Sequence, residues 1–453
     1  MRLGAVADDV TGACDLAGRV AEAGLPASVL LGIPRTDTSR DDVFPSAGSS
    51  CAVVALKVRT APVAHAVAAS SESARFLVGA GATLLYQKYC STFDSTPEGN
   101  IGPIADALAA VAAESAAPDA PSPVTIGTPA TPDAARTQYQ GVLFVGGVPL
   151  AESPMRDHPL TPMRDSNVVR LLAPQTPAPV SLVRWQDVQR GTDAVVDLIG
   201  DGHTLVDALT EDDLDTVAEA VLRVAAERPV VAGGGAGVGT ALARVAVRTT
   251  ETTEGDAATG PDASVFAASG APHSTRAAAS LPDVPVTGRL ILAGSASAAT
   301  RGQIAAFTGE RHELQPLDLA RDPGTLDRLR RSLANRTDRL APVLVHASPD
   351  VATAQRELGA DRAAALLEDA LSALAAWAVD EQNVSHLLVA GGETSGAVTA
   401  RLGIERLRIG VQAAPGVPWA VASTGSGRTV AVLLKSGNFG RPTLFTDAWE
   451  VAP

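Results

Sequence analysis

One pattern constrains the fold more than any other. A short apolar run breaks at Asp, Gly, Ser or Thr, and a helix-periodic segment follows, again and again along the chain. In "RLGAVADDVTGACDLAGRVAEAG" the run Leu3 to Val6 reads as a buried strand and "ADDVTG" as a turn. From about Thr11 to Ala23 the apolar positions Ala13, Leu16, Ala17, Val20 and Ala21 share one helix face, with Gly24 as the stop. "CAVVALKVR" (51–59) and "ATLLYQKY" (82–89) read as further strands separated by an alanine-rich helix. Such alternation predicts parallel βαβ units with ligand sites outside the carboxyl ends of the strands. The polar stretches "ADDVTGACD", "KVRT" and "KYCSTFDST" all begin at such ends, so one cleft accounts for all three.

The pattern lapses between about 124 and 176, where "GVLFVGGVPLAES" reads as a hairpin through Gly146–Gly147 and the proline-rich remainder, with two copies of "PMRD", as loop. It resumes with "VSLVRW", "HTLVDA", "EDDLDTVAEAVLRVAAE" and "PVVAGGGAG". From about 245 to 288 the chain is rich in Thr, Ala, Gly, Pro and acidic residues and reads as a linker. The strands "RLILAG", "HLLVAGG" and "TVAVLLK" then define a second domain. The expected class is α/β, with two domains, 1–244 and 289–453, each built on a largely parallel β-sheet flanked by helices and joined by the linker 245–288.

Composition narrows the partners. A chain of 453 residues, 46% hydrophobic and 19% charged, is ordinary for globular domains. Its formal charge of −14, with no basic run, argues against nucleic acid or an anionic membrane. Cys14, Cys51 and Cys90 form no disulfide framework and no zinc spacing. The first residues are acidic where a signal peptide needs an apolar core, and no stretch approaches a membrane-spanning length. A cytoplasmic protein is expected; a homo-oligomer is left open, and no metal ligands are identified.

Arginine has taken nearly every basic position: of 36 Lys plus Arg, only Lys57, Lys88 and Lys435 are lysine. A compact ammonium suits a tight oxyanion pocket that a planar guanidinium would not fit. All three lysines fall in unusual stretches, "ALKVRT", "YQKYCSTFDST" and "LLKSGNFG".

In the second domain, "GSASAAT" (294–300) and "GGETSGA" (391–397) place glycines and the hydroxyls of Ser295, Ser297, Thr394 and Ser395 where a strand opens into a helix. Unpaired amides and the helix dipole make such a turn an anion site. With Lys435 as the cation, they point to a nucleoside triphosphate, whose phosphates imply Mg²⁺. The glycine run "VVAGGGAGVGTAL" (230–242) lacks the lysine of a P-loop and the acidic partner of a dinucleotide site, and reads as a tight turn. The first domain offers the carboxylates Asp8, Asp9, Asp15 and Asp94, the cations Lys57, Arg59 and Lys88, and the hydroxyls Thr11, Ser91, Thr92, Ser95 and Thr96. Cations suit a carboxylate-bearing substrate, while a carboxylate can take the proton of an attacking hydroxyl. Asp9 has a simpler role open to it as a helix cap.

"ADDVTGACDLA", "KYCSTFDSTPEGNIGPIADAL", "TQYQGVLFVGGVPLAESPMRDHPLTPMRDSNVVRLL", "VAGGETSGAVTARLGI" and "LLKSGNFG" together resemble the four-carbon acid sugar kinase family, most closely its members acting on 3-oxo-tetronates. The resemblance spans nearly the whole chain. It implies an acid-sugar-binding domain followed by a nucleotide-binding domain, and ATP-dependent phosphorylation of the C4 hydroxyl of a 3-oxo-tetronate. It further implies ATP contacts at Ser295 or Ser297, at Gly391, Gly392, Glu393, Thr394, Ser395 and Gly396, and at Gly437, and a substrate cleft built from "ADDVTG" and "KYCSTFDSTPEGN". Asp94 or Asp9 is the expected base, with Lys88 facing the substrate carboxylate or the transferring phosphate. The chain departs from the family at Val10 (usually aromatic), Cys14 (commonly threonine) and Ala296 (cysteine in the family's "GSCS"), none of which removes a charge. A threonate or erythronate kinase of the same family, and a non-catalytic sugar-acid sensor, are the rival readings.

Overall fold

A computed structural model describes residues 1–34, 43–44, 48–157, 161–258, 281–348 and 351–453. The described residues fall into two compact units. Met1–Asp8, Arg19–Ala27 and Arg35–Ala279 make the first, and Asp9–Gly18, Ser28–Pro34 and Ser280–Pro453 the second.

The first unit contains β1 (Arg2–Ala7), the last turn of α1 (Val10–Glu22), β3 (Ser50–Ala55), α2 (Val63–Gly79), β4 (Leu84–Lys88), α3 (Ile101–Glu114) and β5 (Val124–Thr128). The strand β2 (Ala27–Leu31) belongs mostly to the second unit. Beyond β5 come β6 (Arg136–Tyr139), β7 (Val142–Val145), β8 (Val148–Pro149), α4 (Val168–Leu172), β9 (Val180–Val183), α5 (Trp185–Val188), α6 (Thr192–Asp197), β10 (Gly202–Val206), α7 (Glu211–Ala225), β11 (Val230–Gly234) and α8 (Ala236–Ala258). The main sheet runs β3-β1-β4-β11-β5-β10-β9 and is parallel throughout. Every residue of β3 and β11 is buried, as expected of parallel strands covered on both faces, and this is why they appear in the sequence as unbroken apolar runs.

Local chemistry sets the element ends. Gly24, at φ +93°, ends the first helix as the sequence predicts, because a left-handed residue after the last turn suits glycine. Thr210 and Asp213 form a capping box at the start of α7. The hairpin at Gly146–Gly147 is present, with both glycines at positive φ, and β6 extends it to a three-stranded antiparallel sheet. β3 stops at Ala55, short of the expected 59, so Lys57 and Arg59 lie on the loop beyond it.

The second unit contains β12 (Arg289–Ala293), α9 (Ala298–Ala306), β13 (Arg311–Leu314), α10 (Pro316–Arg321), α11 (Thr325–Ala334), β14 (Val343–Ala347), α12 (Val351–Leu358), α13 (Ala360–Asp380), β15 (His386–Ala390), α14 (Gly392–Arg401), β16 (Arg406–Ala414), β17 (Val417–Ser423), β18 (Thr429–Lys435) and α15 (Leu444–Asp447). β13-β14-β12-β15-β18 are parallel, and β17, β16 and β2 continue the sheet antiparallel. Its core centres on Trp419, fully buried, with the Trp449 ring centroid 5.5 Å away and the indole N–H donating to the Ala448 carbonyl at 2.8 Å. Truncating such a side chain typically costs about 3–5 kcal/mol.

The segment read as linker is partly ordered structure. α8 continues through Ala258, and Val284 is buried in the second unit's core; residues 259–280 lie outside the described residues.

Candidate substrate and nucleotide sites

In the first unit, parallel register aligns Ala7 with Ala55 and with Lys88, and Lys88 with Gly234. The chain therefore leaves β1, β3, β4 and β11 at one edge of the sheet. There the Asp8 amide donates to the Lys88 carbonyl and the Val58 amide to the Asp8 carbonyl, both at 3.1 Å. Arg59 grips Asp8 with two parallel bonds, Nε to Oδ2 at 2.8 Å and Nη2 to Oδ1 at 3.0 Å. Its Nη1 stands 3.8 Å from Asp94 Oδ2, while Thr92 Oγ1 donates to Asp94 Oδ1 at 2.5 Å. A narrow cavity is lined by Asp8, Arg59, Asp94, Ser95 and Asn100.

The loop carrying Asp94 turns through Phe93, which sits at φ +51°, a strained value for an aromatic residue. Burial holds it there: Phe93 is fully inaccessible and packs edge-on to Tyr89 at 5.5 Å, in a cluster with Ile101, Leu143 and Leu150. Asn100 precedes α3 without capping it; its Nδ2 donates to the carbonyls of Val58 at 2.7 Å and Ala61 at 2.9 Å, fastening the loop that bears Arg59.

Of the other residues read from the sequence for this half, Lys88 is buried and its Nζ donates to the Tyr89 carbonyl at 2.8 Å. Ser95 is buried and accepts from Gln175 Nε2 at 3.0 Å, Ser91 is half-buried, and Lys57 is exposed. Gln175 was not anticipated. It also donates to Thr96 and Leu171 carbonyls and accepts from the Gly102 amide, tying the Asp94 loop to the start of α3. A lone amide in the proline-rich "LLAPQTP" was the only signal. The Cys90 thiol is pushed up to about 12 by burial, with Asp94 and Asp8 adding to it, so it stays protonated and is no nucleophile.

Asp9, Thr11 and Asp15, grouped by sequence with the first cleft, pack within the second unit. Asp9 caps the helix that follows: its Oδ1 accepts from the Gly12 amide and from Thr11 Oγ1. The Thr11 hydroxyl lies beside Gly392, and Asp15 Oδ1 lies so close to Gly416 that a Cβ there would approach it to 2.5 Å.

The three glycine-rich turns of this unit converge. β12, β15 and β18 are sheet neighbours, and register aligns Ala293 with Ala390 and Ala390 with Lys435, so "GSAS", "GGETSG" and "KSGNFG" leave side by side. The amides of Gly294 and Ser295 donate to the Ala390 carbonyl, and that of Gly391 to the Lys435 carbonyl. The contact leaves no room for side chains: a Cβ on Gly294 would meet Thr394 Oγ1 at 2.1 Å, and one on Gly437 would meet Ser295 Oγ at 2.4 Å. One carbonyl gathers the cluster. Gly437 O accepts from Ser297 Oγ at 2.5 Å, Thr300 Oγ1 at 2.9 Å and Lys435 Nζ at 3.2 Å.

Lys435 also donates to Thr300 Oγ1 at 2.9 Å and is fully buried; burial pulls its pKa down to about 7. Ser395 Oγ is buried with no hydrogen-bond partner among the described residues, Thr394 is buried, Gly396 half-buried, and Glu393 is exposed at the start of α14. The first-turn amides of α14 have no intrahelical acceptor, which makes this helix start a place for an oxyanion. Sequence reasoning missed Thr300 and Gln303. Gln303 Nε2 donates to the carbonyls of Phe439, Gly440 and Arg441 and so holds the loop after Lys435.

Two α/β units, one with an acid-and-base cleft and the other with converging glycine-rich turns, define a class in which sugar and nucleotide have separate domains. Residues 3–242 match the sugar-binding N-terminal domain and residues 290–445 the nucleotide-binding C-terminal domain, so the chain belongs to the four-carbon acid sugar kinase family. It is 40% identical to the 3-oxo-tetronate kinase of Methylobacterium radiotolerans over 100% of this chain and 99% of that one. It is 39% identical to the 3-oxo-tetronate kinase of Cupriavidus necator over 98% and 96%. Among solved structures it is similar to a Haemophilus influenzae protein (32% identity, 99% of each chain, TM-score 0.71). It is also similar to a Salmonella typhimurium protein provisionally described as a tRNA synthase (32% identity, 100% of each chain, TM-score 0.77). Among the described residues, no helix is long and apolar enough to cross a membrane.

Proposed function

We propose that the protein is an ATP-dependent kinase that phosphorylates the C4 hydroxyl of a 3-oxo-tetronate, giving the 4-phosphate. The observation that carries this is the meeting of three glycine-rich turns at neighbouring strand ends, in a chain whose full-length relatives are 3-oxo-tetronate kinases. A polyanionic nucleic acid is a poor alternative partner for a chain of net charge −14.

In this reading residues 1–244 form the acid-sugar domain and 289–453 the nucleotide domain, in a cytoplasmic protein. Ser295, Ser297, the turn from Gly391 to Gly396, and Gly437 bind ATP, with Lys435 fixing Gly437 and supplying positive charge. Mg²⁺ bound with the nucleotide would neutralise charge on its phosphates, and Glu393, at the start of that turn, is the carboxylate that could help to hold it. Asp8, Thr11, Asp15, Lys57, Arg59, Lys88, Ser91 and Ser95 are the substrate-binding set. Asp94 is favoured over Asp9 as the base, because Asp9 is engaged in capping while Asp94 borders the cavity with Arg59. Arg59 is paired with Asp8 and stands beside Asp94, and the Asp94 carboxylate can take the hydroxyl proton as phosphoryl transfer proceeds.

The test is coupled ADP release across 3-oxo-tetronates, threonate and erythronate. The 3-oxo acids are expected to give the highest kcat/KM, and Asp94→Asn to lower turnover by about a hundredfold or more, the usual scale for a general base. Preference for threonate or erythronate would reassign the substrate, and binding without ADP release would make the protein a sensor.

A further inference from the structure

A cavity of about 890 Å³ opens in the second unit, away from the glycine-rich turns. It sits at the amino ends of β12, β13 and β14: Arg289 begins β12, Glu310 immediately precedes β13, and Pro342 precedes β14. The nucleotide turns follow the carboxyl ends, so the length of β12, about 17 Å at the usual rise per residue, separates the two. The volume is that of a pocket for a metabolite of nucleotide size or smaller.

Its walls are chemically specific. The Arg289 guanidinium lies over the Trp449 ring, 5.7 Å from the centroid. Of the five N–H donors that such a group carries, the one bond made among the described residues runs from Nη1 to the Leu340 carbonyl, at 3.3 Å. Its Nε is buried without a partner, and no carboxylate among the described residues pairs with it. The other charges here are largely committed. Arg336 Nε donates to Glu310 Oε2 at 2.8 Å, Glu310 Oε1 meets His312 Nε2 at 2.8 Å, and Asp338 Oδ1 accepts the amides of Leu340 and Ala341. Glu450 is an exposed carboxylate on the wall and sets a limit on how much negative charge the cavity accepts. Phe307 and Trp449 give an apolar face beside the guanidinium.

An arginine seated over an indole, with donors to spare, can take an oxyanion in two parallel bonds. We propose that this cavity is a second ligand site, for a small metabolite that presents one carboxylate or phosphate to Arg289 and a flat or apolar portion to Trp449 and Phe307. The site is separate from the nucleotide turns, and it rests on the second unit's geometry alone, whichever tetronate the enzyme phosphorylates.

The experiment is calorimetric titration of the full-length protein, saturated with ADP to occupy the nucleotide turns, using inorganic phosphate in one arm and benzoate in the other. At least one probe is expected to bind in the millimolar range, and the arm that does so identifies the oxyanion. Arg289→Gln is expected to weaken that binding at least tenfold. Ser332→Glu, at an exposed helix position on the cavity wall, adds a repelling carboxylate without disturbing the core and is expected to weaken it similarly. If Arg289→Gln does not melt cooperatively, Ser332→Glu decides alone. Absence of binding by both probes up to about 10 mM, the weak end of specific affinity, or binding undiminished in the variants, overturns the proposal.

Discussion

Lys435 sits in an environment far from that of an ordinary lysine. It is fully buried, no carboxylate among the described residues faces it, and burial brings its pKa down to about 7. The unfolded chain keeps a proton on this lysine up to about pH 10. Between about pH 7 and pH 10 the unfolded state therefore holds a proton that the folded state lacks, and the lysine's contribution to stability improves as pH rises through that window. A polyanion bound nearby has the opposite pull and raises the pKa again. Nucleotide binding at pH 8 should thus take up close to one proton, and affinity should weaken as pH climbs above about 7. Calorimetry in two buffers of different ionisation enthalpy measures the uptake; it should vanish in Lys435→Met, and equal uptake in both proteins would remove Lys435 from the nucleotide's surroundings.

At the scale of elements, helices and loops are joined by side chains that sequence distance conceals. α9 holds the loop after β18 through one amide, Gln303, bonded to three successive carbonyls. Gln303→Leu keeps the volume but strands those acceptors, at a cost of about 1–3 kcal/mol for each one left buried and unpaired. The expected result is a lower denaturant midpoint and a KM for ATP raised more than kcat falls; an unchanged midpoint would mean that water replaces the amide. What the sequence made legible has the same logic. Strands buried on both faces announce themselves as apolar runs, and turns that need glycine stand out, so β1, β4, β12, β15 and β18 and the residues at their ends could be read directly. The antiparallel β16–β17 hairpin and β6 went unread because "RTQY" has no apolar alternation and "AAPGV" looks like any loop. Gln175, Thr300 and Gln303 were illegible because their partners lie far along the chain.

At the scale of the molecule, the compact units do not follow the linear order of the chain. Asp9–Gly18 and Ser28–Pro34 pack with residues 280–453: β2 pairs with β16, and Gly18 lies so close to Pro418 that a Cβ would meet its ring at 2.9 Å. No pattern in the first thirty residues signals this, since an amphipathic helix does not state which core it faces. A fragment of residues 281–453 therefore lacks a strand of its own sheet and a covering helix. It should show no cooperative thermal transition, whereas the full chain should; a sharp melt for the fragment would mean that the borrowed segments are dispensable.

The protein's three cysteines carry a practical consequence. Burial pushes the thiols of Cys14, Cys51 and Cys90 up to about 12, so hardly any thiolate exists at neutral pH to meet an electrophile. Cys14 and Cys51 are buried as well, so a new cysteine placed on an exposed helix should outpace them in reacting with a maleimide dye or spin label, with half-buried Cys90 the native thiol to replace first.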